Sequence, residues 1–538
     1  MTIRDSIHAL LAHAIEGVAD IPLTVSEHAV HGDYTTPIAL TLAKEWKEAP
    51  RVIAERIAAL IQKAQHPIIE RVEIAGPGHL NFFVRKEVLW KQVPKIIKAG
   101  EGYGASKIGK KEKVVVEFIS ANPTGPLTLA NARGGFFGDT LANVLTLTGH
   151  RVQREYYVND AGNQVRTLGE SVLAALGEAV PSEKHYQGSY IKEWAELHRK
   201  EIHGKDVTTV GAQFAKEILT DWIQPPVAKM GIHFDRWFRE STLHKKPEAR
   251  SQKQEAKESA VDRALVLLKK KGHVYEHEGA IWFRTTTFGD DKDRVLVTSD
   301  GYPTYYLADI AHYMVIRKEG WKRYINFLGA DHHGYIGRAK AAGAVLGYTQ
   351  FDLLIMQLVK LMSGGQEVRM SKRRGTYVTI EDLLDEIPVD VARFFFLMYA
   401  SSSHLDFDLD RAKEQSSKNP VYYVQYAYTR LGQILKKADG ITESQNHRIT
   451  ESHPAETALL KFLFRWPELV EDVSRTYEVH RIPTFALKLA DHLHAFYDSC
   501  RVIDNGRVHK HRLQLVRAAH AVFGAILKTT GISRPERM

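Results

Sequence analysis

A short run of β-branched residues, followed by a loop and a long helix, constrains the fold of this chain more than any other feature. The run KVVVEFIS at residues 113–120 indicates a buried parallel strand. After a loop rich in small residues, ANARGGFFGDTLANVLTLTGH has helical spacing. Because a strand, a loop and a helix in this order open a doubly wound α/β domain, we predict a Rossmann-like parallel sheet that begins here.

The patterns on either side of this strand divide the 538 residues into three domains. Residues 1–105 combine helical periodicity with two short strands around Gly76-Pro77-Gly78, which predicts a small α+β domain. The glycine- and lysine-rich stretch 100–113 has the composition of a solvated linker. We expect the α/β domain over residues 112–390, with a charged helical insertion at about 165–275. Helical periodicity over residues 391–538 predicts an all-α bundle.

Composition excludes several classes of protein. Cys500 is the single cysteine, so an intrachain disulfide is impossible and a thiolate-rich zinc site is excluded. The chain has no run of about 18 apolar residues, and its amphipathic start differs from a signal peptide, so we expect a cytoplasmic protein without membrane contact. The formal charge of +9 favours a polyanionic partner, although charge alone is a weak signal.

Two segments have the composition of phosphate-binding loops. In SANPTGPLTLANARGG, residues 120–135, a helix begins at the carboxyl edge of the predicted sheet and offers free backbone N–H groups there. Taken alone, this segment is more typical of an ordinary βα loop. Far downstream, EVRMSKRRG concentrates Arg369, Lys372 and Arg374 before a glycine, and such a loop could clamp a triphosphate. A solvated charged turn would explain the same composition.

Both segments resemble motifs of one family. VEFISANPTGPLTLANARG is similar to the strand, loop and helix of bacterial arginyl-tRNA synthetases, in which the ATP-binding tetrapeptide HIGH corresponds to residues 128–131. Residues 370–372 are similar to the KMSKS loop of class I synthetases, in the RMSKR variant of this family. This chain has Thr128, Ala130 and Asn131 in place of His, Gly and His, so hydrogen-bond donors remain but positive charge does not. The resemblance implies an arginine-tRNA ligase that uses ATP with Mg²⁺.

The resemblance also implies which residues contact the nucleotide. Thr128, Asn131 and Lys372 are the expected catalytic residues. The expected ATP-binding residues lie beside them or in the segment GADHHGYIG: Pro126, Leu127, Gly329, Asp331, His332, His333, Arg369, Met370 and Ser371. Two adjacent histidines could suggest a metal, but neighbouring side chains point apart and no cysteine supports them, so we expect no zinc and no other metal site. We expect Asp331 to cap a helix.

A pocket that selects arginine needs carboxylates and an aromatic face around the planar guanidinium. SDGYPTYYLADIAHY supplies Tyr305 and Asp309 at positions i and i+4, hence on one helical face, although this pair could equally be an ordinary helix surface. Similarity to the family implies that both residues hold the substrate side chain. It also implies four further pocket residues: Glu117 and Asn122 for the α-groups of arginine, together with Gln357 and Glu240.

Tyrosines and an arginine cluster in the C-terminal segment KNPVYYVQYAYTRLGQI. Tyr422, Tyr426 and Arg430 could stack on splayed bases, although most helical tyrosines are core residues. The resemblance implies that the C-terminal domain binds the anticodon and that the N-terminal domain, with HGDYTTP and AGPGHLNF, contacts the tRNA elbow. It further implies that arginine tRNA, arginine and ATP are the partners, and that activation requires bound tRNA. We expect a monomer.

Two alternatives remain open. A synthetase-derived paralogue could bind tRNA or arginine without charging; Thr128 and Asn131 favour it, whereas the retained Lys372, Tyr305 and Asp309 argue against it. A class I synthetase for another amino acid is the second alternative. The cysteine enzyme needs zinc thiolates that this chain lacks, and a lysine enzyme needs no pocket for a planar fork.

Overall fold

Four antiparallel strands and five α-helices form the N-terminal part of the computed structural model, which describes residues 2–18, 20–26, 28–246, 258–368, 378–441 and 453–538. The sheet has the order β1-β2-β4-β3. The elements in chain order are α1 (Ile3–Ala14), β1 (Thr24–Val25), β2 (Tyr34–Thr36), α2 (Ile38–Trp46), α3 (Pro50–Lys63), β3 (Ile69–Ala75), β4 (His79–Val84), α4 (Lys86–Trp90) and α5 (Val93–Ala99). The small α+β domain and the two strands around Gly76-Pro77-Gly78 are thus confirmed.

The central part of the described chain is built on five parallel strands. Its elements in chain order are β5 (Lys113–Glu117), α6 (Leu129–Leu147), β6 (Arg151–Val158), α7 (Asn163–Ala175), α8 (Ser189–Ile202), α9 (Val207–Glu217), α10 (Gln224–Lys229), β7 (Arg236–Arg239), α11 (Ser241–His244), α12 (Ala260–Lys270), β8 (Val274–His277), β9 (Ala280–Phe283), β10 (Arg294–Val297), α13 (Tyr305–Lys318), β11 (Arg323–Gly329), α14 (Ile336–Leu346) and β12 (Gln350–Met356). The parallel sheet has the order β12-β11-β5-β6-β7. The chain therefore builds outward from β5 on one side and then on the other, which confirms the predicted doubly wound, Rossmann-like sheet.

The first strand of this sheet is also its centre. Val114, Val115 and Val116 are fully buried, as a strand covered on both faces requires. Helix α6 lies directly over the end of β5, because Gly138 has no side chain and a Cβ there would overlap the Phe118 ring. Glycines in the middle of α6 therefore set how closely the helix packs against the chain at the end of β5.

The predicted helical insertion at about 165–275 is interrupted by a strand. Helices α7 to α10 leave the sheet after β6, as expected, but the chain returns as β7, which pairs with β6 in parallel. Strand β7 has only four residues and lies between charged helical segments. Its alternation of apolar and polar residues is too short to be recognised from sequence. The expected strands β9 and β10 do form, but they belong to a separate antiparallel sheet with β8.

The helical C-terminal part begins later than residue 391. The chain first forms β13 (Val359–Ser363), β14 (Gln366–Glu367), α15 (Ile380–Glu386), α16 (Val389–Leu397), β15 (Leu405–Asp408) and α17 (Leu409–Lys413). Because β15 pairs with β13 in parallel, the expectation of helices alone after residue 390 is wrong here. The predicted bundle then follows as α18 (Pro420–Ala438), α19 (Pro454–Leu463), α20 (Trp466–Thr476), α21 (Arg481–Ser499) and α22 (Lys510–Thr530), with a small hairpin of β16 (Ile503–Asp504) and β17 (Arg507–Val508).

The first and last parts of the chain pack against each other. Helix α5 lies along α22, and Trp466 donates from Nε1 to the carbonyl oxygen of Tyr103 at 2.8 Å. The stretch 100–113, which we expected to be a solvated linker, is therefore docked at its start. Tyr34 donates its hydroxyl to the buried Glu468 carboxylate at 2.9 and 3.0 Å, and Arg4 pairs with Asp472 at 2.6 Å. Within the described ranges, none of the helices has the length and apolarity to cross a membrane.

Candidate active site

The carboxyl ends of β5 and β11 mark the position where a doubly wound sheet binds its ligands. These two strands pair with each other, but the chain leaves them in opposite directions along the sheet, which opens a crevice between the loops that follow them. The loop after β5 leads to α6, and the loop after β11 leads through residues 330–335 to α14. Most residues that the resemblance implicates lie at this edge.

The turn after β5 is locally strained. Ile119 and Ser120 have φ values of 65° and 37°, a region that a β-branched residue in particular avoids. Hydrogen bonds hold the turn over β6, since Tyr157 N–H donates to Ser120 Oγ at 3.0 Å and Tyr156 donates its hydroxyl to the carbonyl oxygen of Ala121 at 2.8 Å. The sharp change of direction leaves Asn122 exposed at the crevice.

The start of α6 carries a reciprocal cap formed by two predicted catalytic residues. Thr128 Oγ accepts from the Asn131 backbone N–H at 3.4 Å, and Asn131 Oδ1 accepts from the backbone N–H and the hydroxyl of Thr128 at 2.9 and 2.8 Å. This capping box fixes the first turn of the helix, whose remaining N–H groups point toward the crevice. Pro126 and Leu127 are buried, so their side chains shape the loop from beneath.

The predicted basic loop lies partly outside the described residues. Arg369, Met370, Ser371 and Lys372 belong to the range 369–377, which the structure does not describe. The residues directly after this range are held against the start of α6, because Thr379 forms an antiparallel bridge with Thr128 and Ile380 N–H donates to the Leu127 carbonyl at 3.0 Å. The residues that follow the basic segment are therefore anchored at the capped helix.

An acidic pocket lies between α13 and the end of β7. Asp309 and Glu240 are the two carboxylates, and burial raises the pKa of Asp309 to about 7, with the charge of Glu240 adding to the rise. Tyr335 donates its hydroxyl to Asp309 at 2.8 Å, which partly opposes this shift. Tyr305 lies one turn before Asp309 on α13, as predicted, and its ring is exposed while its hydroxyl accepts from Asn163 N–H at 2.7 Å.

The chemistry of this pocket follows from its incompletely balanced charge. Glu240 is 3% exposed, with His244 at 3.5 Å, and Asp309 contributes a second carboxylate whose pKa is lowered by the charges of His312 and Arg338 but raised overall. Two neighbouring carboxylates, one of them fully buried, favour a bound cation. A planar guanidinium with several donors matches two carboxylates beside tyrosine rings.

Three residues of this pocket were not predicted. Asn159 follows β6 and, in the amide orientation that satisfies its neighbours, donates to Glu240 at 3.0 Å. The buried hydroxyl of Tyr157 lies near Glu240 and Asp309, and burial together with these charges raises its pKa well above the usual value. Tyr335 is the third. Asn159 could have been found, because it occupies the carboxyl end of a strand next to that of β7.

Glu117 points away from the open crevice into the interior. Its side chain is 6% exposed and accepts a hydrogen bond from the Tyr324 hydroxyl. Burial raises the pKa of Glu117, while the charge of the nearby His312 lowers it. The carboxylate thus lies beneath the pocket. Its burial and its hydrogen bond to Tyr324 disfavour a direct contact with the α-amino group of a ligand.

Gln357 is linked to α6 through its backbone. The fully buried Arg133 donates to the carbonyl oxygens of Gln357 at 2.9 Å and Ala400 at 2.7 Å. Gln357 N–H donates to the carbonyl oxygen of Ser401 at 3.0 Å, and its side chain is part-exposed beside the crevice. Arg133 therefore braces the segment of Gln357 against the capped helix.

The segment after β11 is exposed at the crevice. Asp331, His332 and His333 lie in a short 3₁₀ turn, Ala330–Tyr335, with Gly329 at its start. Asp331 does not cap α14: Tyr335 occupies that N-cap position without a side-chain hydrogen bond, and Asp331 is instead 3.7 Å from His332. The predicted cap is wrong because the 3₁₀ turn separates Asp331 from the start of the helix.

Two of the three predicted base-stacking residues line a groove on the C-terminal helices, and the third lies beside it. Tyr422 and Tyr426 contribute to a groove of about 610 Å³, where the Tyr426 ring is parallel to His494 at 6.4 Å. Arg430 donates to the Tyr497 hydroxyl at 2.6 Å and lies over that ring at 4.9 Å. Arg430 lines an adjacent depression that shares Tyr426 with the groove, so aromatic faces and a cation lie side by side.

Three family models cover most of the chain. The class I tRNA synthetase catalytic domain of the arginine type matches residues 92–393, the arginyl-tRNA synthetase N-terminal domain matches residues 1–84, and the DALR anticodon-binding domain matches residues 424–538.

Relatives match over nearly their whole length. The arginine–tRNA ligase of Moorella thermoacetica is 41% identical over 96% of this chain and 94% of its own, and that of Geobacillus kaustophilus is 41% identical over 99% and 97%. Among solved structures, a putative arginyl-tRNA synthetase from Campylobacter jejuni has a TM-score of 0.73 at 28% identity, covering 85% of this chain and all of that one. The arginyl-tRNA synthetase of Thermus thermophilus shares the fold with a TM-score of 0.77 at 21% identity, covering all of both chains.

Proposed function

This chain belongs to the arginyl-tRNA synthetases, and we propose that Asp309 and Glu240 select the guanidinium of its substrate while the capped start of α6 receives the nucleotide. It is an aminoacyl-tRNA ligase that uses ATP to join arginine to tRNA. The alternative of a paralogue that binds without charging is not supported, since the relatives named as ligases match the whole chain.

The acidic pocket is the single observation that carries the proposal. Asp309 holds its proton up to about pH 7 because it is buried beside Glu240, and an incoming guanidinium supplies the missing counter-charge. Tyr305 offers a ring face next to the same pocket. Gln357 and Asn122 lie beside the crevice and are proposed to bind the α-amino and α-carboxylate groups of arginine. Glu117 lies in the interior below the pocket and supports these residues without contacting arginine.

The reaction proceeds in two displacement steps. The carboxylate oxygen of arginine attacks the α-phosphorus of ATP, the bond to the β-phosphate oxygen breaks, and pyrophosphate leaves. A ribose hydroxyl at the 3′ end of tRNA then attacks the acyl carbon and AMP leaves. Neither step needs a covalent protein nucleophile, so positioning and charge stabilisation supply the catalysis.

The nucleotide is held at the first turn of α6 and beside the 3₁₀ turn after β11. We assign the phosphates to the N–H groups that follow Thr128 and to Asn131, with Lys372 as a cation for them. We assign the adenosine to Gly329, Asp331, His332 and His333, which are grouped at the crevice. The bridge between Thr379 and Thr128 supports the role of Lys372, Arg369, Met370 and Ser371, because it anchors their segment near the phosphates.

Further properties follow as proposals. Mg²⁺ enters with the phosphates of ATP, and no zinc is needed, since the single Cys500 is buried away from the crevice. The N-terminal domain contacts the tRNA elbow, and the groove with Tyr422 and Tyr426, together with the neighbouring Arg430, receives anticodon bases. We place the enzyme in the cytoplasm as a monomer.

Exchange of labelled pyrophosphate into ATP tests the pocket and the tRNA requirement together. We expect exchange with arginine plus tRNA, little without tRNA, and none with citrulline, which is an isostere of arginine without the positive charge. Exchange with citrulline at a rate near that with arginine would remove the charge-based selection. Fast exchange without tRNA would remove only the tRNA requirement.

A further inference from the structure

Three ionisable side chains are buried together beneath the arginine pocket. Glu117 on β5, Glu155 on β6 and His312 on α13 each offer a ligand atom within 4.8 Å of the others. Glu155 and His312 are 0% and 2% exposed, so their charges cannot be solvated by water. Such a group must be balanced internally, by a proton or by a metal ion.

Hydrogen bonds already occupy the carboxylates of this group. His312 Nε2 lies 2.7 Å from one oxygen of Glu155, and Gln153 donates to the other oxygen at 3.1 Å. Arg236 approaches the same second oxygen at 3.6 Å, and Tyr324 donates its hydroxyl to Glu117. Because protein donors face these oxygens, a proton on His312 is a better match than a metal ion.

The position of His312 connects this buried group to the pocket. His312 follows Asp309 by three residues and Tyr305 by seven on α13, so all three share one face of the helix. The imidazole packs between the rings of Tyr157 at 4.7 Å and Phe238 at 4.5 Å. These contacts and the bond to Glu155 fix the rotation of α13 against β6 and β7.

We propose that His312, held by Glu155, is a positioning residue for arginine selection: it sets the orientation of Asp309 and supplies positive charge between Asp309 and Glu117. The proposal rests on the assignment of Asp309 to the guanidinium. His312 does not contact the substrate in this scheme. It acts through Asp309, whose ionised form it favours.

The charges around His312 are consistent with this role. Burial alone would lower the pKa of His312, but the hydrogen bond and charge of Glu155 outweigh burial and raise it. In turn, the charge of His312 lowers the pKa of Asp309. The titratable and charged groups that face this region are Glu117 on β5, Glu155 and Tyr157 on β6, Arg236 on β7, Glu240 after β7, Asp309 and Tyr313 on α13, Tyr324 on β11, Tyr335 before α14 and Arg338 on α14.

Arginine affinity as a function of pH tests the proposal in His312→Gln, which can still donate to Glu155 but carries no charge. We expect the pH below which calorimetric arginine binding weakens to move up by about one unit. At pH 7 the KM for arginine should rise about tenfold with the KM for ATP unchanged. An unchanged pH profile, or equal changes in both KM values, would contradict the proposal.

Two further variants extend the test. Glu155→Gln should shift the arginine profile in the same direction, because His312 loses the anion that keeps it charged. His150→Gln, at the opposite end of β6, is the matched control and should leave the profile unchanged. If neither His312→Gln nor Glu155→Gln folds, the pair is structural and the proposal fails.

Elemental analysis tests the alternative that a metal ion, and not a proton on His312, balances the buried carboxylates. We expect purified protein to contain no stoichiometric zinc or other transition metal, and one bound ion per chain lost on His312→Gln would overturn the proposal. Failure of the function itself would look different. If the unmodified protein did not bind arginine, the pocket assignment would be wrong. If it bound arginine normally and His312→Gln did not shift the pH profile, only the role of His312 would be wrong.

Discussion

In the proposed site, the choice of substrate depends on the side chains of Asp309 and Glu240. Both carboxylates are held by groups that keep them in place, Tyr335 for Asp309 and Asn159 for Glu240. Neither has a permanent cationic partner within salt-bridge distance among the described residues. Their mutual repulsion is therefore relieved by a proton on Asp309 or by a bound cation, and the two compete.

Asp309→Asn should lower kcat/KM for arginine by roughly 30-fold or more. The change leaves the guanidinium with one carboxylate in a desolvated pocket, and loss of one partner of a buried charge pair costs about 2–5 kcal/mol. Steady-state charging at pH 8 measures the effect. Asp300→Asn, an exposed carboxylate in the turn before α13, is the matched control and should behave as the unmodified protein. Unaltered arginine kinetics in Asp309→Asn would remove the pocket assignment.

Arginine binding should weaken as the pH falls below about 7. Because burial and Glu240 raise the pKa of Asp309 to about 7, this carboxyl is protonated in the free enzyme at lower pH. Arginine binds the ionised form, so its apparent affinity should fall about tenfold per pH unit below that pKa and level off above it. Calorimetry without ATP isolates this effect from the titration of the nucleotide. An affinity that is constant from pH 5.5 to 8 would show that Asp309 is ionised throughout.

At the scale of single elements, the capped start of α6 would provide the proposed phosphate site without the two histidines of the family motif. Thr128 and Asn131 hydrogen-bond each other, and these bonds fix the first helical turn. Backbone N–H groups and the helix dipole then meet the phosphates. A single replacement such as Thr128→His would break the cap before it could add charge, so we expect no gain from it.

Thr128→Ala should therefore cost both stability and nucleotide affinity. Loss of an N-cap costs about 1 kcal/mol, and a frayed first turn should raise the KM for ATP several-fold. Ser259→Ala is a matched control, since Ser259 and Asp262 form the same kind of capping box on α12, outside the crevice. Both variants should lower the melting temperature, but only Thr128→Ala should affect ATP. Identical ATP kinetics in the two variants would place the phosphates elsewhere.

Periodicity predicted the elements of the sheet better than it predicted the pocket. The strand β5, the helix α6 and the pairing of Tyr305 with Asp309 depend on local spacing, so sequence sufficed. The strand β7 was missed because four residues carry too little pattern. Tyr335 and His312 could not be assigned, since their contacts with Asp309 and Glu155 depend on how α13 packs against other elements.

At the scale of the whole molecule, the N-terminal and C-terminal domains form one interface. The motif HGDYTTP contributes Asp33 and Tyr34 to it, where Lys461 donates to Asp33 at 2.7 Å and Tyr34 donates to Glu468. Composition could not reveal this role, because the partners are more than 400 residues apart. Any contact of this domain with the tRNA elbow must use its outer surface.

Tyr34→Phe should loosen this interface without touching the chemistry. The buried Glu468 carboxylate would lose its hydroxyl donor, and leaving a buried acceptor with fewer partners costs about 1–3 kcal/mol. We expect a lower melting temperature with unchanged KM values for arginine and ATP. Tyr302→Phe, which removes an exposed hydroxyl, should leave the melting temperature unchanged. A Tyr34→Phe protein as stable as the control would mean that the other contacts suffice.

Charging of total tRNA with each of the twenty labelled amino acids, in the presence of ATP and Mg²⁺, tests the whole account most directly. The acidic pocket and the capped helix predict that arginine alone is transferred, at a rate that depends on Asp309. Tight tRNA binding without any charging would contradict the account and favour a paralogue that has lost catalysis. Charging with a different amino acid would refute the guanidinium pocket.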